Sequence, residues 1–424
     1  MWNGRRTLSQ KPKPFYGWVI VFCAFLAITT YGLFYSYSLF IEPLEAELHS
    51  SRAAISAVFT IYMVVYSVCG IPMGWLCDRY GPRKTLWLAA LLIGSGIALC
   101  SSITSLWQLS LLFGVIAGMG HGAIYVVPTS TLSRWFIQRR GYAIGIATAG
   151  LGFGLFLVPP ITAQVISMYG WQATFVILGV TFFAVNVIAG IFIRSSPKDK
   201  GLRPLGEIEE GPSAPKHLSV NTREFSVAEA VKTKAFWMLY LICVFAFAAE
   251  QMVIVHIVPY SGTFGFSPAQ TSLGLSILGV AMVISRVSAG ELSDRIGRVP
   301  VLAMSCGIET VSIFLLIAAN SPAMLYLAML LLGFGYGGWS VSGIAMLGDY
   351  FGLKHIGTIT GVWFTCGAPA AVLGPLMGGI VFDVTRSYFL AIVIAGMVCL
   401  VAVVLALLIR PPQKPLQPES VGTE

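Results

Sequence analysis

Gly74-Trp75-Leu76-Cys77-Asp78-Arg79-Tyr80-Gly81-Pro82-Arg83-Lys84 has a second copy in Gly290-Glu291-Leu292-Ser293-Asp294-Arg295-Ile296-Gly297-Arg298. Gly74, Asp78, Arg79 and Gly81 recur as Gly290, Asp294, Arg295 and Gly297, each 216 positions on. The correspondence extends outward. Gly141 and Gly145 recur as Gly357 and Gly361 at the same offset, and Trp135-Phe136 recurs as Tyr350-Phe351 at 215. A chain of 424 residues with an offset near half its length is two similar halves in tandem.

The ground between these landmarks is apolar. Hydrophobic residues make up 56% of the chain and charged ones 10%, against roughly 25% charged in a soluble domain. Twelve runs are long enough to cross a hydrocarbon core about 30 Å thick: 16–41, 52–76, 84–102, 106–133, 141–168, 171–194, 236–262, 268–292, 299–319, 322–348, 356–381 and 387–409. Backbone groups must find their hydrogen bonds inside the segment, so each run is expected to be a helix. The ten-residue alternation of a membrane barrel is missing from the pattern. The reading is an all-α membrane protein of two pseudo-symmetric six-helix bundles. A tail spans 1–15, the bundles span 16–194 and 235–409, a polar linker spans 195–234, and a tail spans 410–424.

Lys and Arg give the orientation. With the N-terminus inside, the inner loops and tails hold 23 of the 26, the outer loops hold Arg52 and Arg386, and Arg286 lies within a span. Both termini are therefore expected in the cytoplasm, in a cell (inner) membrane of prokaryotic type. The net charge of +8 follows this topology and marks no nucleic-acid surface. The eight cysteines lie in or beside apolar runs, without metal-ligand or disulfide spacing. No nucleophile–base set or phosphate loop stands out, so an enzyme is not expected, and no cofactor or metal is implied.

The repeated turn resembles the signature that major facilitator proteins carry between their second and third helices. In that family such turns pair charges across helix ends and gate the carrier. The resemblance gives that role to Gly74, Asp78, Arg79, Gly81 and Arg83, and to Gly290, Asp294, Arg295 and Gly297. A narrower resemblance lies in Arg134-Trp135-Phe136-Ile137-Gln138-Arg139-Arg140-Gly141-Tyr142-Ala143-Ile144-Gly145, which is similar to the monocarboxylate-porter signature. Lys13-Pro14-Phe15-Tyr16-Gly17-Trp18 is similar to the start of that family and of the related oxalate–formate exchangers. Two six-helix halves of this kind place a substrate cavity at their interface near the midplane; the superfamily is itself a standing example of that arrangement.

Arg286 sits two turns before the second copy of the turn, in the eighth run. A charge there is costly and faces a cavity or a partner, and a guanidinium fork matches a carboxylate. Arg286-Val287-Ser288-Ala289-Gly290 matches the porter pattern, which implies a carboxylate-binding arginine. Departures from the family narrow the substrate. Met282 stands where animal monocarboxylate porters carry aspartate, and Ser36 where they commonly carry lysine. Phe364-Thr365-Cys366-Gly367-Ala368 lacks the second cation of the oxalate exchangers. One cation compensates one carboxylate, and a dianion would leave a buried charge unpaired.

His121 and Tyr125, four apart, share a helix face. Their counterparts at offset 215 are Tyr336 and Ser340, so two polar stripes are expected on the cavity. Thr29, Leu33 and Ser36 share a face of the first run, with Leu33 shaping a tail pocket if Ser36 faces the cavity. Glu250 and His256, six apart in the seventh run, point about 120° from each other, and either is a candidate proton carrier. Glu309 in the ninth run is expected at the periphery. Gly114, Gly118 and Gly122 read as close helix packing. The resulting expectation is a monomeric secondary transporter, a proton-coupled symporter of small monocarboxylates of the lactate or pyruvate type. Its alternatives are an organic-anion exchanger and a drug or sugar porter with a structural arginine.

Overall fold

A computed structural model describes residues 15–207 and 224–412. The tail before residue 15, the middle of the linker (208–223) and the tail from 413 lie outside the described residues. The described chain is helical almost throughout. Its spans are α1 (Gly17–Ser36), α2 (Arg52–Tyr80), α3 (Pro82–Ala98), α4 (Leu106–Trp135), α5 (140–169), α6 (171–192), α7 (Lys234–Gly262), α8 (Pro268–Ile296), α9 (Arg298–Ile317), α10 (Pro322–Phe351), α11 (Ile356–Thr385) and α12 (Phe389–Leu408). α5 and α6 run on as one helical stretch that breaks at Gly170, where φ is 78°. The eleven long apolar helices thus contain twelve crossings.

Local signals in the sequence set the helix starts. The side chains of Ser51, Thr233, Ser267 and Ser321 each accept from an amide three residues on, satisfying the first turns of α2, α7, α8 and α10. Gly81 and Gly297 separate α2 from α3 and α8 from α9 at φ of 87° and 100°, a backbone region that a side chain disfavours. The repeated motif is therefore one conformation used twice. Asp78, Arg79, Asp294 and Arg295, expected in loops, occupy the last turns of α2 and α8, because each helix runs on until its positive-φ glycine.

Other helices depart from regularity. α1 is interrupted at Thr30–Tyr31 and ends at Ser36, short of residue 41; a separate helix, Ser38–Leu48, follows. α4 contains a π-helical stretch, Ser110–Ala117, and α11 is broken between Phe364 and Gly367. The halves meet along α2 against α11 and α5 against α8. A Cβ on Gly74 would lie 2.1 Å from the Gly357 carbonyl oxygen, and one on Gly145 would lie 2.1 Å from that of Arg286. Gly114, Gly118 and Gly122 press α4 onto α2. Large apolar side chains such as Phe22, Phe156 and Leu407 cover the outer surface, as lipid-facing helices require.

The two stretches that carry the narrower resemblance pack on each other. Phe15 meets the rings of Trp135 and Phe136, and Trp18 meets Phe136 at 5.2 Å. The start of the linker docks there too: Leu205 N–H donates to the Trp135 carbonyl and the Leu205 carbonyl accepts from Ile137 and Gln138. Its far end docks on the second half, where Phe225 N–H donates to the Phe351 carbonyl. Glu224 accepts from the amides of Leu353 and Lys354.

Candidate functional site

The two halves are tied together on the face that carries the repeated turns. Asp78, at the end of α2, accepts from the amides of Gly357 (2.9 Å) and Thr358 (2.7 Å) and from the Thr358 hydroxyl, at the start of α11. Arg134 Nη2 donates to the same carboxylate at 2.5 Å. Asp294 repeats this on α5, accepting from Gly141 (2.9 Å) and Tyr142 (2.8 Å). A carboxylate against free amides at a helix N-terminus is favoured by both hydrogen bonding and the helix dipole. Arg298 pairs with Asp294 at 2.6 Å and with Asp349 at 2.9 Å, and Arg140 of the first half also pairs with Asp349.

The aspartates make the crossing bonds; the motif's other charges stay local. Arg79 lies over the rings of Trp75 and Tyr80, Arg83 over Trp87, and Arg295 pairs with Glu291 on its own helix.

Between the halves, above these ties, lies a cavity that opens to solvent, with about 690 Å³ of unfilled space, its open mouth included. Its lining comes from α1, α2, α4 and α5 on one side and from α7, α10 and α11 on the other. Tyr125, Tyr336 and Ser340 of the two polar stripes line it; His121 does not. Arg286 stands directly behind the two tyrosines. Its Nη1 donates to the Tyr125 hydroxyl at 3.2 Å, and its guanidinium lies over the Tyr336 ring at 5.1 Å. The side chain is fully buried, its Nε has no hydrogen-bond partner, and it makes no salt bridge among the described residues. Glu250 of α7 is buried within electrostatic reach of Arg286, with one carboxylate oxygen unbonded.

The remaining candidates lie elsewhere. His121 is buried within the first half between the rings of Tyr31 (5.5 Å) and Tyr62 (5.6 Å), and neither ring nitrogen has a partner. Leu33 and Ser36 are buried outside the cavity lining; Ser36 donates to the Gly32 carbonyl and faces Thr162 of α5. His256 lines a separate small apolar crevice with Tyr260 and Tyr388, its Nε2 2.9 Å from the Pro375 carbonyl oxygen. Glu309 is fully buried under Gly335 of α10, not peripheral, because α9 presses its polar side onto α10.

Sequence reasoning missed the side chains that take the place of Leu33 and Ser36. Tyr31, Phe34 and Tyr35 line the cavity instead. Tight turns at Thr30–Phe34, with bonds from Leu33 N–H to Thr30 O and Phe34 N–H to Tyr31 O, shift the register of a regular helix. Gln251 and Phe364 were also missed; a break in α11 leaves no periodic trace.

Comparison with known proteins agrees with this architecture. The description of the Major Facilitator Superfamily matches residues 18–308 and 239–423. The oxalate:formate antiporter of Oxalobacter formigenes is 26% identical over 85% of this chain and 83% of that protein. Monocarboxylate transporter 13 of Bos taurus is 26% identical over 92% of this chain and 88% of its own length. Among solved structures, the proton:xylose symporter XylE superposes with a TM-score of 0.69 at 18% identity, covering 92% of this chain and 94% of that one. Duplicated six-helix halves, the twice-used turn and the family match together establish that this chain is a multi-pass membrane transporter belonging to the Major Facilitator Superfamily.

Proposed function

We propose that the transporter moves a small organic monocarboxylate together with a proton, by alternating access. One observation carries this reading: a fully buried arginine at the cavity wall has two tyrosines and no ionised partner in direct contact. A buried charge without a counter-ion is expensive, and a substrate carboxylate arriving between Tyr125 and Tyr336 supplies one. The guanidinium fork would take the carboxylate, with the Tyr125 hydroxyl donating beside it. Glu250 explains the coupling. Ionised, it competes for the Arg286 charge; protonated, it leaves Arg286 to the substrate. Substrate and proton therefore load together, and the loaded site, one cation with one carboxylate and a protonated acid, is electrically neutral.

The bias of Lys and Arg supports cytoplasmic termini and a cell (inner) membrane location. On that orientation the aspartate–helix ties close the cytoplasmic side, and the substrate reaches the cavity from outside. Asp78, Asp294 and their neighbours then act as the gate that must open to release it. The protein works as a monomer, since each chain holds a complete pair of halves. His256 lies in its own crevice, apart from Arg286, so Glu250 carries the proton in this reading.

The test is uptake of a labelled monocarboxylate into proteoliposomes. Arg286→Ala abolishes it. Glu250→Gln leaves substrate exchange intact but removes acceleration by an inward proton gradient. Uptake that survives Arg286→Ala would sink the carboxylate site. A second reading, an anion exchanger, is favoured by the likeness to the oxalate:formate antiporter. It predicts uptake that ignores the proton gradient and needs an internal anion. Against oxalate itself stands the lack of a second cation in 364–368.

A further inference from the structure

The cavity wall is predominantly aromatic. Ten of its sixteen lining residues are aromatic, in a chain that is 12% aromatic. These rings come from both halves and form most of the wall, so a solute held here meets aromatic faces on several sides. A lactate-sized solute would present little apolar surface to such walls. The lining carries no Asp, Glu, Lys, Arg or His. The two charged groups, Arg286 and Glu250, stand behind it at one place on the wall, so the cavity has one charged end and an aromatic body.

The rings are arranged as paired faces, one pair built on each tyrosine that touches Arg286. Phe364 of the second half lies flat against Tyr125 of the first, centroids 5.2 Å apart at 21°. Phe247 lies flat against Tyr336 at 6.1 Å and 12°, and Trp339 adjoins Tyr336 at 5.6 Å. The polar groups of the lining are mostly phenol hydroxyls, carried on the rings themselves. The Ser340 hydroxyl already donates to the Gly337 carbonyl and the Tyr31 hydroxyl to the His121 carbonyl, which leaves the Gln251 amide and hydroxyls that are themselves borne on aromatic rings.

We infer that the substrate of this site is an aromatic monocarboxylate, an arylacetate-like acid whose ring lies among Tyr125, Phe364, Phe247 and Tyr336 while its carboxylate meets Arg286. The inference rests on the carboxylate reading above and specifies its substrate class. Offset and edge-on ring contacts add to simple burial, so one ring well seated among several distinguishes an aryl acid from its truncated analogue by at least about tenfold. Both hydrophobic and aromatic contacts come from the two halves at once. The ring thus bridges them, as a solute must if its binding is to favour a closed, loaded state.

The experiment uses the full chain in lipid nanodiscs. Binding of phenylacetate, acetate, L-lactate and neutral phenylacetamide is followed by intrinsic fluorescence, since Trp339 and Trp363 line the cavity. Uptake of labelled phenylacetate is measured in proteoliposomes. We expect phenylacetate to bind at least about tenfold more tightly than acetate or lactate, to be taken up, and to lose both properties in Arg286→Ala. Phe364→Leu keeps the bulk and removes the ring, and should cut the phenylacetate-to-acetate preference severalfold. Should that variant misfold, the wild-type ranking alone still decides. Equal or tighter binding of acetate or lactate overturns the aromatic inference and leaves the carboxylate reading standing. Phenylacetamide binding as tightly as phenylacetate, or no carboxylate binding at all, overturns both.

Discussion

Arg286 owes its position to what surrounds it. The Gly145 backbone presses on its carbonyl, the Tyr125 hydroxyl accepts one of its N–H groups, and the Tyr336 ring lies beneath its charge. A lysine would keep the charge but lose the planar fork and its stacking. Arg286→Lys is therefore expected to bind substrate at least about tenfold more weakly while remaining folded, measured by the half-saturation of uptake against a thermal-unfolding control. Tyr125→Phe leaves the ring on Phe364 but deletes the hydroxyl. A hydrogen bond to a charged group contributes about 1.5–3 kcal/mol, so this variant should also weaken binding by about tenfold or more. If half-saturation for Tyr125→Phe matches the wild type, the tyrosine merely packs. Arg286 was legible in the sequence because a charge in an apolar run has few innocent explanations. Tyr35 and Phe364 were not legible, because aromatic residues are ordinary in such runs and only helix interruptions turn these toward the cavity.

At the scale of elements, the aspartate–helix ties decide which face is shut. Each aspartate carries two backbone hydrogen bonds from a helix of the opposite half. Asp78→Asn keeps one acceptor oxygen and turns an amide toward N–H donors. The loss of charged hydrogen bonding is about 2 kcal/mol, roughly a thirtyfold shift between closed and open forms. Cysteine labels placed on α2 and α11 near this face should become more accessible in Asp78→Asn, and on α5 and α8 in Asp294→Asn. Gly74→Val should act more strongly, because its side chain would collide with the Gly357 backbone. If labelling of these variants matches the wild type, the ties are incidental to gating. The repeat in the sequence singles out these aspartates, since a constant offset holds glycine and acid in register in both halves. It is silent on the neighbouring arginines staying local, because a sequence gives charge but not which way the last turn of a helix points.

Across the whole molecule the duplication is imperfect, and the imperfection falls on the ties. Arg134, which holds Asp78 within the first half, corresponds at the 215 offset to Asp349 in the second, a residue of opposite charge. Where the first half has a closed arginine–aspartate pair, the second has an acid to spare, and Arg140 reaches across from the first half to meet it. Arg298 then joins Asp349 to Asp294, so the α5–α8 tie is a charged network bridging the halves, whereas the α2–α11 tie relies on backbone amides and the Thr358 hydroxyl. The two ties should therefore differ in character. Arg140→Gln leaves Asp349 with Arg298 alone and removes a buried cation's bond across the interface. Breaking one partner of such a pair costs more than the pair itself contributes. We expect Arg140→Gln and Asp349→Asn each to favour opening of this face, and the double variant to open it less than the sum of the two, since the second change removes a group already stripped of its partner. Distances between spin labels on the ends of α5 and α8 would measure this. Strict additivity of the two changes would mean that the bond across the halves carries no coupling, and that the second tie holds through Asp294 alone.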